Sequence, residues 1–254
     1  MFRLNSRASL PLLAAGLALL CAGCQRSEGG INRNSIGTNE NANIVGTRTQ
    51  ALEEANKKRG ERAQQLKAMN VQQLAAEMER ESLKGLEPFN STSFAEAVSR
   101  GGGIAAELSA QITKPERGSL LGLLALRRVG EDRYKALDAG LRVGVMVDAL
   151  KNAKYFNAWG LPHLKWEEAA QALIAEGRAA EPQLAPLLKD ERPAPVWGSE
   201  DFAEYERYKY RVRDYAWAIL REIRGEKGPI PESPAERDRL IQQMQPGTQG
   251  GQPG

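Results

Sequence analysis

From residue 104 to residue 225 the apolar side chains recur mostly every three or four positions with no sustained one-by-one alternation, a spacing expected of packed helices. Its densest part, Leu120, Leu121, Leu123, Leu124 and Leu126, makes a helix apolar on nearly all sides, opened at Ser119 and stopped near Gly130. Such a helix must be covered all round by others. Leu137, Leu141, Val145, Ala149 and Leu150 continue at helical spacing. No stretch joins alternation to β-branched enrichment, so no sheet is expected and the fold class is all-α. One domain of this kind fits within 254 residues and leaves room for extensions at both ends.

Two segments carry a family resemblance. Ala169-Ala170-x-Ala172-Leu173, Gly177, Ala180-x-Pro182-x-Leu184 and Leu187-Leu188-x-Asp190 resemble one HEAT-type repeat, with a first helix ending at glycine and a second opening at proline. Val212-Arg213-x-x-Ala216-x-x-x-Leu220-x-x-Ile223 is similar to the start of the next repeat. Small alanines allow close helix approach, and Pro182 sits where a first-turn N–H is not needed. The resemblance implies a short HEAT-like α-solenoid, a helical hairpin stack of about six to eight helices over 104–226, since repeats of this kind need about three units to bury their faces. It also implies that Arg213 is partly buried against an acid of the adjacent unit, with Asp190 and Asp214 as candidates. A long aromatic insertion between Asp190 and Val212 departs from the family pattern.

The N-terminus has the pattern of an export signal. Arg3 and Arg7 precede an apolar run from Leu10 to Leu20, which is closed by Cys21-Ala22-Gly23-Cys24. That run is shorter than the roughly 20 residues a spanning helix needs. The close of the signal resembles the lipobox of bacterial lipoproteins, although Cys21 stands where leucine is usual. The resemblance implies removal of 1–23, lipidation (palmitate and related acyl chains) at Cys24, and a mature chain with no remaining thiol. Two or more acyl chains hold a protein to a membrane where one is marginal. Gln25, rather than aspartate, after the cysteine points within that family to the outer membrane, facing the periplasm. Without residues 1–23 the chain has 33 basic and 32 acidic residues, so a nucleic-acid partner is not expected.

Residues 24–50, rich in Asn, Gly, Ser and Thr, read as a lipidated disordered linker spanning on the order of 30 Å. Residues 51–103 read as an exposed helical segment with a thin apolar stripe; Asn70 with Gln73 forms one capping box and Ser93 with Glu96 another. Residues 227–254, dominated by Pro, Gly and Gln, read as a disordered tail in which Pro234 to Met244 forms at most a loose turn or two.

Eleven of the fifteen aromatic residues fall between Tyr155 and Trp217. Tyr205, Tyr208, Val212, Tyr215, Ile219 and Ile223 share one face of a helix expected from Glu200 to Arg224, and Tyr210, Trp217 and Leu220 mark a second. The loop from Tyr155 to Trp166 carries Trp159, His163 and Trp166, and the turn from Pro193 to Gly198 carries Trp197. Loop aromatics either seal a core or bind something, so these four are the candidate interaction residues. As a catalytic base, the lone His163 needs an orienting acid and a cleft. The acids beside it, Glu167 and Glu168, are ordinary helix-start residues. No phosphate loop, nucleophile elbow or metal-spaced Cys/His set is present. The expected function is therefore a non-catalytic protein-interaction scaffold in the cell envelope, not an enzyme, with no cofactor, no metal and a protein partner. The alternative is a periplasmic module that binds a small ligand, peptide or polysaccharide through the aromatic loop.

Overall fold

The computed structural model describes residues 38–244, with side chains from residue 50. The export signal, Cys24 and the last residues of the tail lie outside the described residues. Contacts divide the chain after Leu52, and the account below concerns residues from 53 onward.

Among the described residues the protein is mostly helical, with one two-stranded ladder. The helices are α1 (Thr38–Ala68), α2 (Val71–Leu83), α3 (Thr92–Ser99), α4 (Ala105–Gln111), α5 (Leu120–Val129), α6 (Glu131–Ala136), α7 (Ala139–Lys151), α8 (Glu168–Ala175), α9 (Glu181–Leu184), α10 (Ser199–Tyr208), α11 (Val212–Arg224) and α12 (Pro234–Met244). The ladder pairs β1 (Gly160–Leu161) with β2 (Lys165–Trp166), antiparallel, with Gly160 opposite Trp166. It corrects the expectation of no sheet. Four residues are too few to show a period in sequence. Their turn is made possible by Gly160, at φ +84°, where a Cβ would come within 2.3 Å of the Lys165 carbonyl oxygen.

Helix α5 is the centre of the first half of the body, with Leu120 to Leu126 all buried as its all-round apolar pattern requires. Helices α2, α3, α4, α6 and α7 pack on it. The segment 51–103 is therefore only partly the exposed element expected. Residues of α1 from 53 to 61 are exposed, but Leu66, Leu74, Met78, Phe94 and Ala97 belong to the core. Arg100 fixes the exit of α1 by donating to the Leu66 and Met69 carbonyls at 2.6 and 2.8 Å, a cation meeting the negative end of a helix. Asn70 and Gln73 form the capping box of α2 as read. The second box does not form. Ser91 caps α3, and Ser93 donates to the buried Glu81 at 2.5 Å. Helix α1 also extends back to Thr38, into the stretch read as linker.

In the second half, α11 lies in the core with Val212 to Leu220 buried. The continuous helix expected from Glu200 to Arg224 is broken. Lys209 takes a left-handed conformation at φ 53°, and α11 restarts at Val212. The break lets Tyr208 and Tyr210 stack on each other, 5.1 Å apart, which two positions on one helix cannot do. Arg213 is buried as expected but pairs with Glu191 at 2.5 Å and Asp238 at 3.2 Å, not with Asp190 or Asp214 through its side chain. Its backbone N–H does reach the Asp190 carbonyl, at 2.9 Å.

The tail is also more ordered than read. Helix α12 docks on α11 through Ile241 and Arg237, both out of solvent. The Arg237 guanidinium donates to the carbonyls of Pro231, Glu232 and Tyr208 at 2.7 to 2.8 Å, and its Nε lies 3.1 Å from Asp214. Arg211 meets the same carboxylate from the other side at 3.0 Å. Composition hides such a contact, because it depends on two charged side chains rather than on an apolar run. Breaking one member of a buried ion pair strands the other, so Asp214→Ala is expected to cost about 3–5 kcal/mol in urea denaturation. Arg192→Ala, which removes an exposed pair with Asp190, should cost under about 1 kcal/mol.

Candidate functional site

The four aromatic-loop residues separate into three places. Trp159 is buried in the core at 1% exposure, sealing the body under its loop. Trp197 is 46% exposed. His163 and Trp166, both partly buried, line a separate cleft of about 260 Å³ with Arg221 and Glu222 of α11.

Both nitrogens of His163 are engaged. The Tyr210 hydroxyl lies 2.9 Å from Nδ1 and Glu204 lies 2.9 Å from Nε2. The ring stacks on Tyr208 at 3.9 Å. Burial holds the imidazole below its ordinary pKa, with Glu204 opposing that shift. A neutral ring then accepts from Tyr210 and donates to Glu204, which fixes its tautomer. The acid that sequence could not supply is thus present, from α10. The arrangement ties the ladder loop to α10 and to the turn between α10 and α11.

The second place is more open. The segment from Pro193 to Gly198 runs extended and anchored: Ala194 N–H donates to the Tyr210 carbonyl at 2.9 Å, and the Phe156 N–H donates to Pro195 at 2.8 Å. Ala194 and Val196 point into the core, and Trp197 follows facing outward. Asn157, itself buried, holds the Trp197 backbone at both ends of its amide. Its Nδ2 donates to the Trp197 carbonyl at 2.7 Å and its Oδ1 accepts from the Trp197 N–H at 2.9 Å. Phe89, 69% exposed, stacks beside Trp197 with ring centroids 6.4 Å apart. Leu83, Leu86 and Tyr155, also exposed, line an adjoining cleft of about 180 Å³ with Lys84, Glu87, Arg117, Lys154 and Trp159. Most of the exposed large apolar side chains of the body gather here, in a protein that otherwise buries them.

Glu87 is the unusual group of this site. It is 2% exposed, and neither carboxyl oxygen makes a well-formed hydrogen bond. Pro88 holds it in an extended conformation just before a short turn. Burial, aided by the negative charges of Glu167 and Asp201, pushes its pKa up to about 7; the nearby Trp197 side chain and Ala158 backbone pull the other way without reversing this. Sequence reasoning missed Glu87, Phe89 and Leu86. They lie between helices in Gly85-Leu86-Glu87-Pro88-Phe89, where no period exists, and the only local signal was an acid and an aromatic flanking a proline. Among the described residues, no group of three or more His, Cys, Asp or Glu is placed to hold a metal ion. No helix among them is long and apolar enough to cross a membrane.

No family model, curated protein or solved structure compared with the chain matches it.

Two outcomes follow. Trp159→Ala is expected to destabilise the protein by about 3–5 kcal/mol and Trp197→Ala by under about 1 kcal/mol, read by urea denaturation with helicity as the signal. Glu87 should also make stability depend on pH. Between about pH 4.5 and about pH 7 the unfolded chain releases the Glu87 proton while the folded chain keeps it, so this contribution is greatest below the window and is lost as pH rises through it. The loss amounts to about 3 kcal/mol. The difference in unfolding free energy between wild type and Glu87→Gln, followed from about pH 4.5 to about pH 7.5, isolates it from other carboxylates.

Proposed function

We propose that this protein is a lipid-anchored scaffold of the bacterial cell envelope, with a HEAT-like helical body that docks a protein partner. The observation that carries the docking part is the gathering of exposed Leu86, Phe89, Tyr155 and Trp197 on a surface whose backbone is pinned by Asn157. Exposed apolar patches of this kind on a folded body mark interaction sites, and a fixed backbone lowers the entropy lost when a partner covers them. Anchorage at Cys24 in the outer membrane rests on the sequence resemblance alone. The HEAT-like reading is supported by the order of α8, the short turns from Gly177 to Lys189 and α11, in which Gly177 has positive φ and Pro182 lies in the first turn of α9. The reading is of a non-catalytic role, and it is supported by the engagement of both His163 ring nitrogens within the fold.

Two experiments test this. Labelling cells with a fatty-acid analogue should mark the wild-type chain and not Cys24→Ser, and an unlabelled wild type would remove the anchor from the proposal. A photo-crosslinking residue placed at Phe89 should capture one discrete envelope protein, whereas the same residue at exposed Lys135 should not. Equal capture from both positions would show that the aromatic surface is no more than exposed.

A further inference from the structure

The surface that carries Phe89 and Trp197 has a positively charged end. Its adjoining cleft is lined by Lys84, just after α2, by Arg117, and by Lys154, which follows α7. Both lysines are exposed and Arg117 is half-buried. Among the described residues, none of the three side chains lies within ion-pair distance of an acid. Other cations of the body do meet acids: Arg128 lies 2.6 Å from Glu168, and Arg142 lies 2.7 Å from Glu176. The Arg117 guanidinium donates to the Asn152 carbonyl at 2.8 Å, while Asp148 receives only its backbone N–H. The Lys154 ammonium rests 5.5 Å from the Tyr155 ring centre. A Cβ at Gly85 would lie 3.7 Å from that of Lys154, which puts Lys154 and Lys84 on the same edge of the cleft. The one acid lining the cleft, Glu87, has both carboxyl oxygens out of solvent and pairs with none of the three. Positive charge without a partner thus stands directly beside exposed Leu83, Leu86 and Tyr155.

We propose that the partner docking on Phe89 and Trp197 presents a protein segment with apolar side chains for these rings and aspartate or glutamate for Lys84, Lys154 and Arg117. This rests on the docking reading above and names the chemistry of the partner. Three like charges around one small cleft repel one another, and a segment that brings carboxylates relieves that repulsion, whereas a basic segment adds to it. The other end of the surface has the opposite sign. Trp197 is closely followed by α10, whose first turn carries Glu200 and Asp201. A segment acidic at the cleft end alone satisfies both ends, so the charges give the bound segment one direction along the surface. An anionic bilayer carries one sign across its whole plane and would be repelled by the α10 end, which favours a protein segment over a lipid surface. The two kinds of contact divide the work. Burial of the rings supplies most of the affinity, and the exposed lysines supply encounter rate, register and sensitivity to salt.

The test places a photo-crosslinking residue at Phe89 of the full chain and sequences the captured peptide by mass spectrometry. It is run in four backgrounds: wild type, Lys84→Glu with Lys154→Glu, Lys84→Arg with Lys154→Arg, and Lys135→Glu as a charge change elsewhere. Capture should fall about tenfold in the double glutamate variant and persist in the other two. The captured peptide should hold aspartate or glutamate beside apolar residues. In envelope extract, capture by the wild type should weaken as salt is raised, which reads the same charges without any substitution. Capture that ignores both charge reversal and salt, or a captured peptide without acids, would overturn the inference and leave the docking reading standing. A lipid adduct, a second copy of this chain, or no capture by the wild type would remove the docking reading and the inference with it.

Discussion

Asp214 sits at the first turn of α11 entirely out of solvent, and its carboxylate is tolerable there only because Arg211 and Arg237 meet it from two sides. Much of the second half of the body follows from that contact. Arg237 belongs to α12, so the pair brings the C-terminal helix onto α11. The same guanidinium donates to the carbonyl of Tyr208, the last residue of α10. Tyr208 in turn stacks on His163, and His163 holds the loop of the β-ladder through Tyr210 and Glu204. A line of polar and aromatic contacts thus runs from the last helix to the loop that places Trp159 in the core.

That line explains why the two faces of the aromatic-rich region differ. On one side, loop and turn are closed by hydrogen bonds and stacking, and their side chains have little left to offer a ligand. On the other, the backbone is fixed but the side chains are not covered. Trp197 and Phe89 stand outward while Asn157, Ala194 and Val196 secure the chain beneath them. Fixing the backbone while leaving the ring open is the arrangement expected of a surface that binds without reorganising.

What was readable in sequence divides along physical lines. Elements whose signal is periodic apolar burial came through clearly: the all-apolar α5 between Ser119 and Gly130, and the capping box at Asn70 and Gln73. The bounds of α12 were also visible at Pro234 and Met244, but its docking was not, because Arg237 contributes a buried charge that composition counts as exposed. The break at Lys209 was hidden for a related reason. Tyr205, Tyr208, Val212 and Tyr215 keep helical spacing across it, and nothing short of the tertiary stacking of Tyr208 and Tyr210 demands a left-handed lysine. At the candidate site only Trp197 of the four aromatic-loop residues forms part of the open surface. Glu87 was invisible since its character comes from burial, and burial is a property of what packs around a residue.

The double hydrogen bond between Asn157 and the Trp197 backbone uses one donor and one acceptor from a single planar amide. Asparagine is the only common residue of that size with both. Loss of ammonia from this side chain, the slow hydrolysis that ages proteins, would leave a carboxylate whose second oxygen faces the Trp197 carbonyl, so that an attraction becomes a repulsion. The strap carrying Trp197 would then be released at one atom without any cut in the chain, and the age of a molecule would be written in how firmly it holds its outermost tryptophan.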